Sequence, residues 1–361
     1  MKILGIETSC DETAASVVLN GTKILSNIVA SSKKIHAKTG GIIPENAARQ
    51  QIKSIIPVIF QALKQGVNLK LNRSPSTIYN SPTIDAIAVT IGPGLIGSLL
   101  VGVETAKSLS YIWKKPLIPV NHLTGHIYSN WLYDLKSHKQ NTLHKTPNFP
   151  SLALVVSGGH TDLVMLKGHN KIKWLGGTLD DAAGETFDKT ARLLGLGYPG
   201  GPAISKSADD YLTHHSTSFN KKLSLFPRPL LNKNNFDFSF SGLKTSVLNE
   251  LKHKKLNSKK IQMYSAEIQE AITDCLVHKS ILAAKMYKPK SFLLAGGVAA
   301  NRRLRHKLRS AVKNMKGCTF HVAPADLCTD NAAYIASHAF FNYHPAPWDR
   351  ITANPQLSIT D

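Results

Sequence analysis

A strand–turn–strand pattern near the start of the chain recurs in its middle, and this repetition constrains the fold more than any other feature. Residues 2–21, KILGIETSCDETAASVVLNG, form an apolar segment, a short polar turn and a second apolar segment. Residues 149–168, FPSLALVVSGGHTDLVMLKG, repeat that architecture with few identical residues. A repeated hairpin that begins each half of a molecule indicates internal duplication. At 361 residues the chain is longer than most single-core domains and long enough to form two lobes.

Helical patterns alternate with strand patterns after each hairpin, which predicts an α/β protein. The first predicted helix begins at Pro44, a favourable first-turn residue, and ends at Gly66. Residues 68–82 are polar and rich in turn formers, which indicates a surface loop. Further helices are predicted up to Trp113 and over residues 261–287.

The apolar run at residues 86–103 is the only stretch that could suggest a membrane span, and Gly92–Gly94 interrupts it. It therefore predicts a buried strand, a turn and a helix. The chain opens directly on an apolar strand, so we expect no secretory or organellar leader, and the four cysteines show no paired spacing. These features favour a cytoplasmic protein that does not enter a membrane.

Three turns rich in small residues follow apolar strands: ETSCDET, VVSGGHT and AGGVAAN. In the last of them a strand leads through Gly296 and Gly297 to a predicted helix, an arrangement that lets backbone amides approach a phosphate. None of the three matches a P-loop or a GxGxxG motif, and each alone is a weak signal. Together they favour a nucleotide held between two α/β lobes.

Positive charge is concentrated in the second half of the chain. The formal net charge is +21, and residues 221–320 carry 21 basic against five acidic side chains, a net of +16. A basic surface that is merely solvated is one explanation, and a nucleic-acid partner is the other. We expect RNA or DNA to bind here and expect charge reversal at Arg302, Arg303 and Arg305 to weaken that binding.

The segment VNHLTGHIYS places His122 and His126 four residues apart. On a helix this spacing puts both imidazoles on one face, close enough to share a metal ion. The same spacing occurs in many helices that bind nothing. Spacing alone leaves both interpretations open.

Nine short motifs occur in an order that is specific to one family. They are GIETSCDET, GPGLIGSLLVG, NHLTGH, VSGGHT, DDAAGETFDK, YPGGP, DFSFSGLKT, AGGVAANRRLR and CTDNAAYIA. From Met1 to about Phe340 the chain resembles the tRNA N6-adenosine threonylcarbamoyltransferases of the bacterial TsaD type. The opening IETSCDET is similar to the bacterial and organellar branch of that family.

The resemblance implies a two-lobed α/β fold of the actin, Hsp70 and sugar-kinase type, built from duplicated ribonuclease H-like domains. We expect an N-terminal lobe at residues 1–115, completed by a helix at 330–341, and a C-terminal lobe at 116–329. The metal and acyl-adenylate sites would lie between these lobes. Residues 342–361 are rich in proline and predict an irregular tail.

The resemblance also implies an activity and a cofactor. The family transfers a threonylcarbamoyl group from threonylcarbamoyl-AMP to the N6 amine of adenosine 37 in tRNAs that read ANN codons, and releases AMP. It binds one divalent metal ion per subunit, for which we expect iron rather than zinc. The implied ligands are His122, His126 and Asp330, a set that leaves coordination positions open for a substrate oxygen. The alternative for Asp330 is a helix N-cap.

The implied substrate-binding residues fall into two groups. Val155, Val156, Ser157, Gly158 and Gly159 match the segment that lines the acyl-adenylate, and Asp188, Gly201 and Asn301 match positions that hold the adenosine. Each residue of the second group has an alternative interpretation. Asp188 could be an exposed acid on a helix, Gly201 a turn glycine and Asn301 a helix cap. Many relatives have Glu where this chain has Thr124; that residue is not a ligand, although the ligands' neighbours can differ.

The reaction requires placement of two substrates and removal of a proton from the amine. Asp11 is our candidate base, with Glu12 second, and both could be ordinary turn acids. The expected partners are tRNA, a catalytically inert paralogue and a small P-loop ATPase, although some organellar relatives act alone as homodimers. A metallopeptidase is disfavoured because HLTGH lacks the glutamate of HExxH. The alternative function is an ATP-hydrolysing or sugar-kinase-like protein of the same fold, acting as a nucleotide-gated scaffold.

Overall fold

A computed structural model describes residues 1–32, 36, 41–67, 81–134, 145–214 and 224–361. The chain divides into two compact units. The first contains Met1–Pro147 and Ala323–Asp361, and the second contains Asn148–Val322. The boundaries differ from the predicted lobes at 115/116 and 329/330, because strand β5 (Leu117–Asn121) pairs with the sheet of the first unit.

The first unit is built on a six-stranded mixed sheet with the order β5-β4-β1-β2-β3-β6. Its remaining strands are β1 (Lys2–Glu7), β2 (Glu12–Leu19), β3 (Lys23–Ser31), β4 (Ala86–Gly92) and β6 (Tyr133–Asp134). Strands β1, β2 and β3 form an antiparallel meander, while β4 pairs parallel to β1 and β5 parallel to β4.

The sheet of the second unit has five strands in the order β11-β10-β7-β8-β9. These strands are β7 (Ser151–Val156), β8 (Thr161–Gly168), β9 (Lys171–Gly177), β10 (Ser291–Ala295) and β11 (Thr319–Val322). Strands β7, β8 and β9 form an antiparallel meander. On the other side of β7, β10 pairs parallel to β7, and β11 pairs parallel to β10. Strand for strand, the order matches β5-β4-β1-β2-β3 of the first unit, so the predicted duplication is present in the topology.

Helices cover the sheets in both units. The first unit contains α1 (Pro44–Val67), α2 (Ile96–Trp113), α3 (His122–Tyr128), α9 (Ala325–Cys328) and α10 (Ala333–Phe341). The second unit contains α4 (Ala183–Leu193), α5 (Gly200–His214), α6 (Ser241–Leu251), α7 (Ser258–Tyr287) and α8 (Arg302–Lys313). Within the first unit, α1 and α2 pack apolar side chains such as Ile59, Leu63 and Val103 onto the buried faces of β1 and β4.

The structure refines two of the predicted elements. The apolar stretch at residues 15–30 predicts one strand, but Asn20 and Gly21, both with positive φ, form a tight turn that divides it into β2 and β3. After Gly296 a short 3₁₀ turn at Gly297–Ala300 comes first, and α8 begins only at Arg302. Most of the loop predicted at 68–82 lies outside the described residues.

The tail after Asn342 is largely irregular, as predicted, but it packs closely against the first unit. A single 3₁₀ turn, Trp348–Arg350, interrupts it. Ile351 and Ile359 are buried, and Ala346 forms a β-bridge with Leu117. Across the described part of the chain, no helix combines the length and apolar character needed to cross a membrane.

Candidate metal centre

His122 and His126 lie on α3, a two-turn helix that begins where the edge strand β5 ends. The side chain of Asn121 caps this helix by accepting hydrogen bonds from the amides of Leu123 and Thr124. Both histidines are buried, and their ring centroids are 4.5 Å apart. The i, i+4 spacing therefore does place the two imidazoles side by side.

Asp330 lies between α9 and α10 and directs its carboxylate at both histidines. Its Oδ1 is 3.3 Å from Nε2 of His126 and 3.8 Å from Nε2 of His122. One potential ligand atom from each of the three side chains lies within 4.8 Å of the other two. Residues separated by more than 200 positions in the sequence thus converge on one point.

A buried carboxylate, Glu7, orients the first histidine from behind. Glu7 Oε2 is 3.0 Å from His122 Nδ1 and accepts a 2.5 Å hydrogen bond from the Thr90 hydroxyl. Its other oxygen accepts a hydrogen bond from the backbone amide of Ser9. This arrangement fixes the His122 ring so that Nε2 faces Asp330, as in the carboxylate–histidine–metal arrangement of many metal sites.

The electrostatics distinguish the two imidazoles. Burial acts to lower the pKa of His122, but Glu7 and Asp330 outweigh it and raise that pKa to about 9. Burial acts to raise the pKa of Glu7, but His122 brings it below its usual value. Burial and the neighbouring His122 both lower the pKa of His126. These shifts favour the charged form of His122 beside Glu7 and the neutral form of His126, which is the form that can donate a lone pair.

The donor set fits a divalent transition metal. His126 is fully buried; among the described residues its Nδ1 has no hydrogen-bond partner, and its Nε2 faces the Asp330 carboxylate at 3.3 Å. An ion bound between this buried Nε2 and the carboxylate would satisfy both groups. Two imidazoles and one carboxylate are the ligands that zinc and non-haem iron prefer.

The two candidate base residues lie in and beside the turn between β1 and β2. Asp11 is in the turn and Glu12 is the first residue of β2; both are buried. Asp11 Oδ2 has no hydrogen-bond partner among the described residues. From α1, the amide of the buried Gln51 donates to the backbone carbonyls of Thr8, Cys10 and Glu12 and holds the turn in place.

The predicted acyl-adenylate segment occupies the end of β7 and the turn after it. Val155 and Val156 are fully buried strand residues, so their side chains belong to the core. Ser157 stabilises the turn. Its backbone amide donates to the His160 carbonyl, and its hydroxyl accepts a hydrogen bond from the His160 amide. Gly158 and Gly159 are exposed with open space beside them, and none of the described residues accepts a hydrogen bond from their amides.

Asp188, Gly201 and Asn301 come together around the first turns of α5. Asp188 Oδ1 accepts a 2.7 Å hydrogen bond from the amide of Gly200, next to Gly201. Burial raises the pKa of Asp188, against the effect of these backbone amides. The Asn301 amide donates to the Ser205 hydroxyl on α5 and its Oδ1 caps α8 through the Leu304 amide. Asn301 therefore caps α8, as its alternative interpretation predicts.

The three arginines proposed for nucleic-acid contact differ in their surroundings. Arg302 is exposed. Arg303 forms an ion pair with Glu270 on α7, and Arg305 donates to the backbone carbonyl of Ala299. Reversing all three charges would therefore disrupt internal contacts of α8 as well as the surface charge.

Sequence reasoning missed three residues that surround the candidate metal centre: Glu7, Thr90 and Tyr334. The available signals were an acidic residue at the end of a buried strand, a polar residue inside an apolar strand, and an aromatic residue one helical turn after Asp330. The buried ring of Tyr334 lies 4.5 Å from that of His126, and burial raises its pKa well above the usual value.

Comparison with known proteins decides the family. A family model described as TsaD, tRNA N6-adenosine threonylcarbamoyltransferase, matches residues 23–337. The chain belongs to the TsaD family. An enzyme of that name from Syntrophomonas wolfei is 46% identical over 358 residues, which cover 99% of this chain and 97% of the relative. Another from Dehalococcoides mccartyi is 45% identical over the full length of both chains.

The TsaD family is a family of transferases, so the chain is an enzyme of that class. Among solved structures, HypF from T. kodakarensis is similar with a TM-score of 0.58 and 14% identity, over 94% of this chain and 48% of HypF. At that identity the likeness concerns the fold alone. The predicted fold of the actin, Hsp70 and sugar-kinase type, with duplicated sheets, is confirmed.

Proposed function

We propose that this TsaD-family enzyme transfers the threonylcarbamoyl group of threonylcarbamoyl-AMP to the N6 amine of adenosine 37 in tRNAs that read ANN codons. The new bond joins N6 to the carbamoyl carbon, and the bond from that carbon to the phosphate oxygen breaks to release AMP. The convergence of His122, His126 and Asp330, with Glu7 behind them, is the observation that carries the proposal.

A divalent ion, iron rather than zinc in our proposal, would be held by His122, His126 and Asp330. When bound, it would supply a Lewis acid for a carbonyl or carboxylate oxygen of the substrate. The chain's own contribution is to fix a ligand before the substrate arrives: Glu7 contacts His122, and the Thr90 hydroxyl donates to Glu7.

The exposed amides of Gly158 and Gly159 are assigned to the phosphate of the acyl-adenylate. Two adjacent backbone N–H groups at a glycine turn suit an anion, since no side chain blocks the approach. Asp188, Gly201 and Asn301 are assigned to the adenosine. The ribose would bond to Asp188 in addition to the amide of Gly200, which already occupies Oδ1.

Asp11 is assigned the role of accepting the amine proton, with Glu12 as second candidate. The amine of adenosine is a weak nucleophile because its lone pair is delocalised into the ring, so proton removal assists attack. An unpartnered carboxylate oxygen on Asp11, held in a rigid turn by Gln51, supports this assignment. RNA readers commonly splay out a target base, and the same is proposed for the adenosine.

We further propose that the enzyme works in the cytoplasm with a catalytically inert paralogue and a small P-loop ATPase. The basic region at residues 221–320 is proposed to contact the tRNA, because clustered lysine and arginine side chains release counterions from a phosphate backbone.

A reconstituted assay tests the proposal. Purified chain, threonylcarbamoyl-AMP and unmodified tRNA are combined with and without the two helper proteins, and the modified nucleoside is measured after digestion of the tRNA. We expect product only with tRNAs that read ANN codons, and loss of at least 100-fold in rate for Asp330→Asn.

The matched control is Asp326→Asn, which changes an exposed carboxylate on the preceding helix and should leave the rate unchanged. Metal content of the purified chain is measured in parallel. Full activity of Asp330→Asn, or full activity of a chain stripped of its metal, would contradict the proposal. ATP hydrolysis without tRNA modification would support the scaffold alternative instead.

A further inference from the structure

We propose that the C-terminal segment Asn354–Asp361 is a positioning element that sets the metal-binding helix α3 through the side chain of Asn121. The inference rests on the proposed function only for the assignment of an ion to α3. The contacts that support it lie wholly within the first unit.

The Asn121 amide has different partners on its two sides. Its Oδ1 accepts hydrogen bonds from the amides of Leu123, at 2.9 Å, and Thr124, at 3.5 Å. Its Nδ2 donates a 2.6 Å hydrogen bond to the backbone carbonyl of Ser358. One buried side chain therefore joins the N-terminus of α3 to the last residues of the chain.

Helix α3 depends on such support because it is short. It has seven residues, and a two-turn helix has little stability of its own in water. His122 is its first residue, so the direction of that imidazole follows the orientation of the first turn. Asn121 controls that turn, and the Ser358 carbonyl controls which way the Asn121 amide faces.

The segment is itself held firmly, which a positioning element requires. The amide of Asn354 donates a 2.7 Å hydrogen bond to the Ile91 carbonyl at the end of β4. A Cβ at Gly92, where φ is +153°, would lie 1.8 Å from the Asn354 carbonyl oxygen, so the two backbones are in direct contact. Ile359 is 3% exposed, and the Ser358 amide donates to the carboxylate of Asp361.

Two variants break the connection from opposite sides. Asn121→Ser keeps an N-cap oxygen but removes the donor to Ser358. Truncation after Gln356 keeps Asn121 but removes the Ser358 carbonyl. Gln356→Ala, an exposed change in the same segment, is the control. The affinity for Zn²⁺ is measured by chelator competition, and the visible spectrum of the Co²⁺-loaded chain reports ligand geometry.

We expect each of the two variants to weaken Zn²⁺ binding about 10-fold and to shift the Co²⁺ bands, with no change for Gln356→Ala. The combined variant should bind no worse than either alone, because both remove the same connection. Unchanged affinity, or fully additive losses, would overturn the inference. If the truncated chain does not fold, Ile359→Ala takes its place, since it loosens the segment without touching Asn121.

Hydrogen exchange separates this inference from the proposed function. If the wild-type chain binds neither Zn²⁺ nor Co²⁺, the metal assignment fails, yet the exchange rates of the Leu123 and Thr124 amides still test the connection. We expect both amides to exchange at least 10-fold faster in the truncated chain than in the Gln356→Ala control. Equal rates in the two would overturn the inference.

Discussion

At the scale of single residues, the carboxylate of Glu7 determines how His122 presents its ring. Glu7 is fixed by Thr90 and by the Ser9 amide, so it is a rigid acceptor for the Nδ1 proton. We expect Glu7→Gln to lower metal affinity by about 10–100-fold, the range typical of outer-shell partners. Thr90→Val removes one hydrogen bond to Glu7 and should cause a smaller loss.

Chelator competition on the purified variants measures both losses. Thr90→Ser, which retains the hydroxyl, is the control and should bind metal as the wild type does. A Glu7→Gln chain with wild-type affinity would show that His122 is oriented by its helix alone.

Glu270 gives a prediction about pH. Burial acts to raise its pKa, but Arg303 and Lys307 outweigh burial and lower it. A carboxyl group with a lowered pKa stabilises the fold above its unfolded pKa, and this contribution is lost as the pH falls through the folded-state value. Glu270→Gln should therefore lower the free energy of unfolding by about 1–3 kcal/mol at pH 7 and by less below about pH 4.

Urea unfolding of both chains at pH 7, 5 and 3 measures this difference. Glu104→Gln is a suitable control, because Glu104 is an exposed carboxylate with one lysine neighbour on its own helix. A difference between Glu270→Gln and the wild type that stays constant with pH would contradict the role assigned to the carboxylate.

Single-residue roles were the hardest feature to obtain from the sequence. His122 and His126 could be paired by their spacing, but only family resemblance connected them with Asp330, because sequence separation hides the convergence. Glu7 and Thr90 look like interruptions of apolar strands until the strands are paired and the two residues meet. The internal contacts of Arg303 and Arg305 could likewise not be predicted from the basic segment that contains them.

At the scale of elements, the turn between β1 and β2 is shaped by close contacts with α2 and with Gly94, just before that helix. A Cβ on Gly102 would lie 2.2 Å from the Thr8 hydroxyl oxygen, and one on Gly94 would lie 2.3 Å from the Ser9 carbonyl. These approaches bring α2 against the turn that carries Asp11. The turn is thus held from two sides, by α2 and by Gln51 of α1.

Gly102→Ala should displace this turn. We expect a loss of about 1–3 kcal/mol in stability, typical of overpacking, and a lower transfer rate because Asp11 moves with the turn. Thr8→Ala removes the hydroxyl that the new methyl group meets, and that hydroxyl has no hydrogen-bond partner among the described residues. The double variant should therefore recover most of the lost stability.

Thermal unfolding of the two single variants and the double variant completes the cycle. The control is Ser108→Ala, on the exposed face of the same helix. Additive losses in the double variant would show that the 2.2 Å approach is not the source of the strain.

Elements were predicted better than their ends. Both ends of α1 followed from Pro44 and Gly66 to within a residue, because proline and glycine act locally, and the end of α2 was predicted at Trp113. The start of α8 was wrong by several residues, since the 3₁₀ turn after Gly296 depends on the contact of that glycine with the Val156 backbone. Tertiary contacts of that kind leave no periodic pattern.

At the scale of the whole molecule, the duplicated topology was the most predictable property. Two hairpins with the same succession of apolar and polar segments were enough to indicate two copies of one sheet. The division into units was not predictable in detail, because it depends on which sheet β5 joins. The edge position of β5 also explains why both histidines belong to the first unit.

The uneven charge of the molecule predicts a salt-dependent association with tRNA. Lys252, Lys255 and Lys259 are exposed beside the start of α7, whereas the neighbouring Lys254 pairs with Glu250. Replacing these three lysines by alanine should weaken tRNA binding. It should also reduce the slope of log K against log salt by about 1 for each lost phosphate contact.

Binding measured at several salt concentrations tests this prediction, and Lys53→Ala with Lys64→Ala on α1 serves as the control for lost charge alone. Equal slopes for the triple variant and the wild type would place the tRNA elsewhere. The substitutions avoid Arg303 and Arg305, so a change in slope would not reflect damage to α8.

The first unit is discontinuous in the chain, with the whole second unit inserted between its two parts. During translation the histidine pair therefore leaves the ribosome long before Asp330. A product that ends before Asp330 carries two imidazoles without the third candidate ligand, and we expect it to bind the proposed ion far more weakly. Occupancy of the proposed centre would thus depend on synthesis of both parts of the first unit.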